Sequence, residues 1–290
     1  MEYKEINPID LKLLLLSGSP IKLGSLEIAP YRLEEIKDYG YSKYMENIQY
    51  ISITIDNFIE SFEDENKRNY LTEIKASLKT FDFYVKFAGQ EFTEALMNAL
   101  AMIFKTDDIH LLDDTVAIGF IENGLLTEGE DGKLAIDLEI LELLSDDEIR
   151  NLKFVTKENF DDLVDIVKMQ NYLVKTSSKI EPERKFESEE TRLLWEQMQR
   201  NQAIIEAKKM AQRKAEKGDS DDTDISDIVS AVSSKSNSIN KLNIWQFTIY
   251  QIYDEYARLE LIDNYDFSIK AMMAGADIKE NLKHWSSRFE

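Results

Sequence analysis

The chain has 290 residues, of which 43% are hydrophobic and 10% aromatic, enough apolar material for one large or two medium cores. Its 56 acidic against 35 basic residues give a formal net charge of -21, which disfavours nucleic acid backbones and anionic membranes as partners and favours neutral or basic ones. The absence of cysteine excludes disulfides, thiolate metal sites and a Cys nucleophile, and fits a reducing, cytoplasmic home.

The first apolar stretch, residues 11–16, is interrupted by Lys12; it is too short for a membrane span and wrongly flanked for a secretion signal. No later run reaches the roughly 20 apolar residues a spanning helix needs. Asn7-Pro8 reads as a cap and a first-turn proline opening a short helix that stops at Ser17-Gly18-Ser19-Pro20. Ile21-Lys22-Leu23 and Leu26-Glu27-Ile28 alternate about Gly24-Ser25, the pattern of a tight hairpin. Pro30 then opens a long helical stretch marked by Ile36, Gly40, Tyr44, Ile48 and Ile51. The 3-4-3-4-3 spacing of Leu71, Ile74, Leu78, Phe81, Val85 and Ala88 predicts one helix, and Phe92, Leu96, Ala99 and Ile103 predict another after Gly89.

Between His110 and Asp137 the texture changes to short apolar runs, at 116–121 and 134–136, around glycine turns at Asn123-Gly124 and from Gly129 to Gly132; a small β-element is expected there. Helical spacing returns at Ser145-Asp146-Asp147-Glu148, an acidic helix start, and again with Thr156 as the cap for Phe160, Leu163, Val164 and Val167. Together these predict an α+β domain over residues 1–175. Residues 176–187 lose the apolar period, contain Pro182 and read as a linker.

Residues 188–224 read as a charged helical arm and an acidic hinge. From 188 to 217 there are seven basic and five acidic residues, and only a thin stripe of Leu194, Met198 and Ile205, too little to make a core. A helical, aromatic-rich unit is expected over 225–290. One helix would run from an Asn243 cap through Trp245, Ile249, Ile252, Tyr256 and Leu259, and a second from Phe267 to Ala274, closed by Gly275. The fold class is therefore mainly α (α+β), and no fixed-period repeat supports a solenoid.

Residues with chemistry are sparse. The only histidines are His110, which reads as structural between Ile109 and Leu111, and His284, which reads as exposed or partner-facing. They form no zinc pair, and the run Asp219-Ser220-Asp221-Asp222-Thr223-Asp224 lacks the turn glycine and the terminal Glu of a calcium loop. No phosphate-binding glycine motif occurs. Lys208, Lys209, Arg213, Lys214 and Lys217 lack interleaved aromatics and read as a solvated face rather than a nucleic-acid stripe. The expectation is a protein that is not an enzyme, with no catalytic, cofactor or metal site. Trp245, Phe247, Tyr250, Tyr253, Tyr256, Tyr265 and Phe267 form either a small aromatic core or a docking surface. On the docking reading Trp245, Tyr253, Tyr256 and Trp285 are the partner-binding residues.

The segment from Asn243-Ile244-Trp245-Gln246-Phe247-Thr248-Ile249-Tyr250 to Met272-Met273-Ala274-Gly275-Ala276, followed by Lys283-His284-Trp285, resembles structural-module proteins of tailed bacteriophages of Gram-positive bacteria, and among them the tail assembly chaperones. The opening from Leu14 to Ile21 and Tyr39-Gly40-Tyr41-Ser42-Lys43-Tyr44 are similar to proteins encoded among phage tail genes. The resemblance implies a transient, non-virion factor that coats the tape measure protein and helps tail tube subunits assemble around it, and that can self-associate. Two other readings stand beside it: an acidic decoy of a host DNA-binding or defence protein, which requires carboxylates clustered on one surface, and a permanent virion subunit.

Overall fold

A computed structural model describes residues 2–128, 134–174, 224–275 and 282–287. The expected linker, the charged arm up to residue 223 and the turn from Gly129 to Gly132 lie outside the described residues. The protein is mainly helical with small antiparallel sheets, an α+β fold, and divides into two compact units. The first is Met1–Thr176 with Leu242–Asp254; the second is Ser177–Lys241 with Glu255–Glu290.

In the first unit, helix α1 (Pro8–Ser17) starts where the side-chain Oδ1 of Asn7 accepts the N–H groups of Ile9 and Asp10, at 3.0 and 2.9 Å. It ends on Gly18 in the left-handed region, at φ 66°. Strands β1 (Ile21–Leu23) and β2 (Leu26–Ile28) pair with Leu23 opposite Leu26, as the Gly24-Ser25 turn requires. Their four apolar side chains are buried while Lys22 and Glu27 face out.

The stretch after Pro30 is two helices, not one. α2 (Leu33–Tyr39) and α3 (Tyr41–Ile51) meet at Gly40, whose φ of 96° and ψ of 114° no helix accommodates. Ile36, Tyr44, Ile48 and Ile51 are nevertheless buried, as their spacing predicts. α4 (Ile55–Ser61) follows, opened by a reciprocal cap between Thr54 and Asn57.

The helix expected from Leu71 to Ala88 is broken. α5 (Glu65–Ile74) passes through a 3-10 turn, extended Leu78 and Lys79, the single turn α6 (Thr80–Asp82) and a π turn over Phe83–Phe87. Burial explains the break: Phe81, Asp82, Phe83 and Tyr84 are four consecutive buried residues, too many for one face of a straight helix. Phe81 and Tyr84 pack on Phe160 at 5.3 and 5.6 Å between ring centroids, and Tyr84 meets Phe58 edge-on at 4.7 Å. These rings take the core places expected for Val85 and Ala88, which are half-buried.

α7 (Gln90–Phe104) buries Leu96, Ala99, Leu100, Met102 and Ile103 and packs along α3. Strands β3 (Ile109–Leu112) and β4 (Thr115–Ile118) form a hairpin, and β5 (Leu126–Glu128) and β6 (Leu134–Ile136) a second one. Two short helices come next, α8 (Leu138–Leu143), capped by Asp137, and α9 (Asp146–Arg150), capped by Ser145 with Glu148. Strand β7 (Lys153–Val155), which has no signal of its own in the sequence, pairs with β4 to complete a three-stranded sheet in the order β3-β4-β7. α10 (Phe160–Gln170) packs on α3, α6 and the β1-β2 hairpin. Its N-cap position is Asn159 rather than Thr156, whose N–H donates to the Asn159 side chain at 2.8 Å.

Leu242–Asp254, expected in the C-terminal unit, belongs with the first. The Leu33 N–H donates to the Phe247 carbonyl at 2.9 Å, Gln246 donates to Glu34 at 2.8 Å, and Gln251 donates to the Leu16 carbonyl at 2.8 Å. This segment opens with a 3-10 turn over Ile244–Gln246, and Asn243 makes no side-chain cap there. The long C-terminal helix (Ile249–Met273) starts instead from Thr248, which exchanges hydrogen bonds with Gln251. It is one helix of 25 residues where two were expected, because no Gly or Pro lies between Leu259 and Phe267 to interrupt it. In chain order the helix Ile225–Lys235 is α11 and Ile249–Met273 is α12.

In the second unit, α11 is capped by Asp224, which accepts the N–H groups of Ser226 and Asp227 at 2.7 and 3.0 Å, and it buries Ile228 and Val232. Lys235 pairs with Asp263 of α12, and Ser236 hydrogen-bonds Glu255 at 2.9 Å.

Candidate protein-binding surface

The aromatics of the C-terminal segment divide between core and surface. In the first unit Tyr250 is buried and Tyr253 is half-buried, and both rings lie on Tyr172, at centroid distances of 5.4 and 5.3 Å. Tyr253 stacks on it at an interplanar angle of 19°, the geometry of a packing residue. Trp245 projects from the 3-10 turn with 37% of its surface exposed, and the Lys37 ammonium lies 5.7 Å from its ring centroid.

In the second unit Tyr256 is half-buried on α12. Trp285 is 47% exposed, and its ring lies 5.3 Å from that of His284, which meets Tyr265 edge-on at 5.2 Å. Arg258 fixes this turn by donating to the carbonyls of Trp285 and Ser287, at 2.7 and 3.0 Å. Of the four residues expected to bind a partner, Trp245 and Tyr253 thus belong to one unit and Tyr256 and Trp285 to the other. The most exposed apolar side chains of α12 are Phe267 at 74%, a member of the aromatic set but not of those four, and Met273 at 85%, which was not singled out. Their signal was their company: Asp263, Asp266 and Lys270 share their exposed stretch of helix, where a core stripe would have apolar neighbours.

The histidines do structural work. His110 Nε2 lies 3.0 Å from the Asp108 carboxylate, which is buried and also accepts the N–H groups of Ile121 and Glu122 at 3.1 and 2.9 Å. That carboxylate therefore pins the loop after β4. His284 is exposed and its Nδ1 lies 2.6 Å from Ser286 Oγ. Among the described residues no group of His, Asp and Glu is arranged to hold a metal ion, and no helix is long and apolar enough to cross a membrane.

Residues 194–290 match the family model described as YomV second domain, a phage-associated family of Bacillus phages. The matched stretch includes α11, α12 and Trp285, and the similarity supports a phage origin for the chain. No curated protein and no solved structure matches the chain.

Proposed function

We propose that this is a non-enzymatic phage protein that binds other proteins during tail morphogenesis, in the manner of a tail assembly chaperone acting on the tape measure and tail tube proteins. The observation that carries this reading is the exposure of Phe267, Met273 and Trp285 on the same residues that match the phage-associated family. Large apolar side chains held in water on a helix and a pinned turn lose contact with solvent only when a partner covers them. Aromatic anchors of this kind dominate protein interfaces. The net charge of -21 keeps such a surface from driving aggregation at high copy number.

The test is co-expression of the tagged full chain with the tape measure and tail tube proteins of the same phage, followed by co-purification. At least one of the two should be retained, and changing Trp245, Tyr256 or Trp285 to Ala should weaken retention about tenfold or more for a true anchor. Tyr253→Ala serves as the contrast, since its stacking on Tyr172 makes a lower melting temperature the expected result. Failure to retain either protein would refute the tail reading, and stoichiometric recovery of the chain in purified virions would make it a structural subunit instead.

A further inference from the structure

From Glu260 onward α12 has two unlike sides. Leu261, Ile262, Tyr265, Ile269 and Met272 are half-buried and share one side, at the spacing of a face that packs. Glu260, Asp263, Asp266, Phe267, Lys270 and Met273 are exposed and share the other. Phe267 is therefore not a margin of the packed face. It lies about 160° around the helix from Tyr265, in the middle of the charged side, and is 74% exposed.

The charges of that side are sorted along the axis. Glu260, Asp263 and Asp266 precede Phe267, and Lys270 follows it. Asp263 is already paired with Lys235 of α11. Glu260, Asp266 and Lys270 make no ion pair among the described residues, although Asp266 and Lys270 stand one turn apart. A face ordered in this way repels a copy of itself laid parallel, which sets acid against acid and lysine against lysine. It complements a copy laid antiparallel. With a two-fold axis crossing between Ser268 and Ile269, position 267 of one helix faces position 270 of the other. Lys270 of each copy then meets the Phe267 ring of the other and lies beside its Asp266, and the symmetry makes each contact twice.

We propose that the outer face of α12, centred on Phe267, pairs antiparallel with the same face of a second copy of this chain, forming a reversible two-fold dimer. The net charge of -21 opposes any self-association. Charges more than about 8 Å apart are largely screened at physiological salt, so the order of charges at the contact decides. One pair of short helical faces stays below the roughly 1,200 Å² of a stable interface, which makes the dimer weak. The pairing names the occupant of the Phe267 part of the surface on which the proposed function rests. It concerns the chain alone and requires no tail protein.

Sedimentation velocity of the full chain from about 1 to about 300 µM should show a monomer passing into a dimer. Phe267→Ala, Lys270→Glu and Asp266→Lys should each weaken dimerisation about tenfold or more, with the melting temperature unchanged because all three side chains are exposed. The double variant Asp266→Lys with Lys270→Glu should recover it, because an antiparallel pair again sets opposite charges together, whereas a parallel pair would still oppose like charges. A chain that stays monomeric throughout, a dimer left intact by Lys270→Glu, or a double variant that fails to recover would each overturn the proposal. If the dimer persists while neither tail protein is retained, the tail reading alone falls. If a monomeric chain retains one, the self-pairing alone falls.

Discussion

Among the described residues α7 and α12 are the two longest helices, and they relate to the core in opposite ways. The fifteen residues of α7 bury Leu96, Ala99, Leu100, Met102 and Ile103 along a continuous stripe. α12 has 25 residues, yet its fully buried side chains, Ile249, Tyr250 and Ile252, all lie in the first turn, and from Tyr253 onward every side chain is half-buried or exposed. Most helical stability in proteins comes from packing an apolar face. Stability is thus concentrated on α7, whereas α12 carries apolar surface toward solvent, so the two helices should respond differently to the same kind of substitution.

The largest effect separates them directly. Leu100→Ala in α7 should destabilise the protein by about 2–5 kcal/mol, the usual cost of emptying a core site, whereas Phe267→Ala in α12 should stay within about 0.5 kcal/mol. Urea denaturation of both variants measures the contrast, and a comparable loss for Phe267→Ala would mean that the outer part of α12 is core after all.

A high-pH titration sharpens the comparison between units. Tyr3, Tyr31, Tyr44, Tyr84 and Tyr172 all lie in the first unit, and burial raises the pKa of each phenol; that of Tyr31 is pushed up to about 12. An acid whose folded-state pKa is raised is held protonated by the fold, so its contribution is intact below the unfolded-state value of about 10 and is lost as pH rises through the folded-state value. The urea midpoint should fall between pH 9 and pH 12, with the amide signals of α3 and α10 lost before those of α11. Simultaneous loss of all three would deny that the buried phenols are responsible.

The smallest effect concerns the start of α12. Thr248→Ala removes the hydroxyl that accepts the Gln251 N–H and should cost about 1 kcal/mol, as the loss of a helix cap does. Because Leu242–Asp254 packs within the first unit, that loss should appear in the unfolding of the first unit, monitored through Tyr172 and its neighbours.

Local chemistry was the legible part of this fold. Asn7-Pro8, the Gly24-Ser25 hairpin and the Ser145-Glu148 cap each act within four residues, and each stands where its sequence places it. What depended on distant partners was not legible. β7 is a strand because Val155 finds Val116, and the break at Leu78 follows from rings at Phe58 and Phe160 that no local period reveals. The aromatic segment was visible as a cluster but not as two fates, since Tyr253 is claimed by Tyr172, 81 positions earlier, while Phe267 has no comparable claimant among the described residues.

The placement of Leu242–Asp254 bears on how the protein is made. The Leu33 N–H, the Leu16 carbonyl and the Tyr172 ring all wait for groups that leave the ribosome more than 70 residues after Tyr172. At ordinary synthesis rates of about 5–20 residues per second, the first unit stays open for several seconds while the intervening segment is translated. During that interval the first unit lacks its closing segment, and any chain released early, before residue 242, would expose the sites that Phe247, Gln251 and Tyr250 occupy in the finished protein.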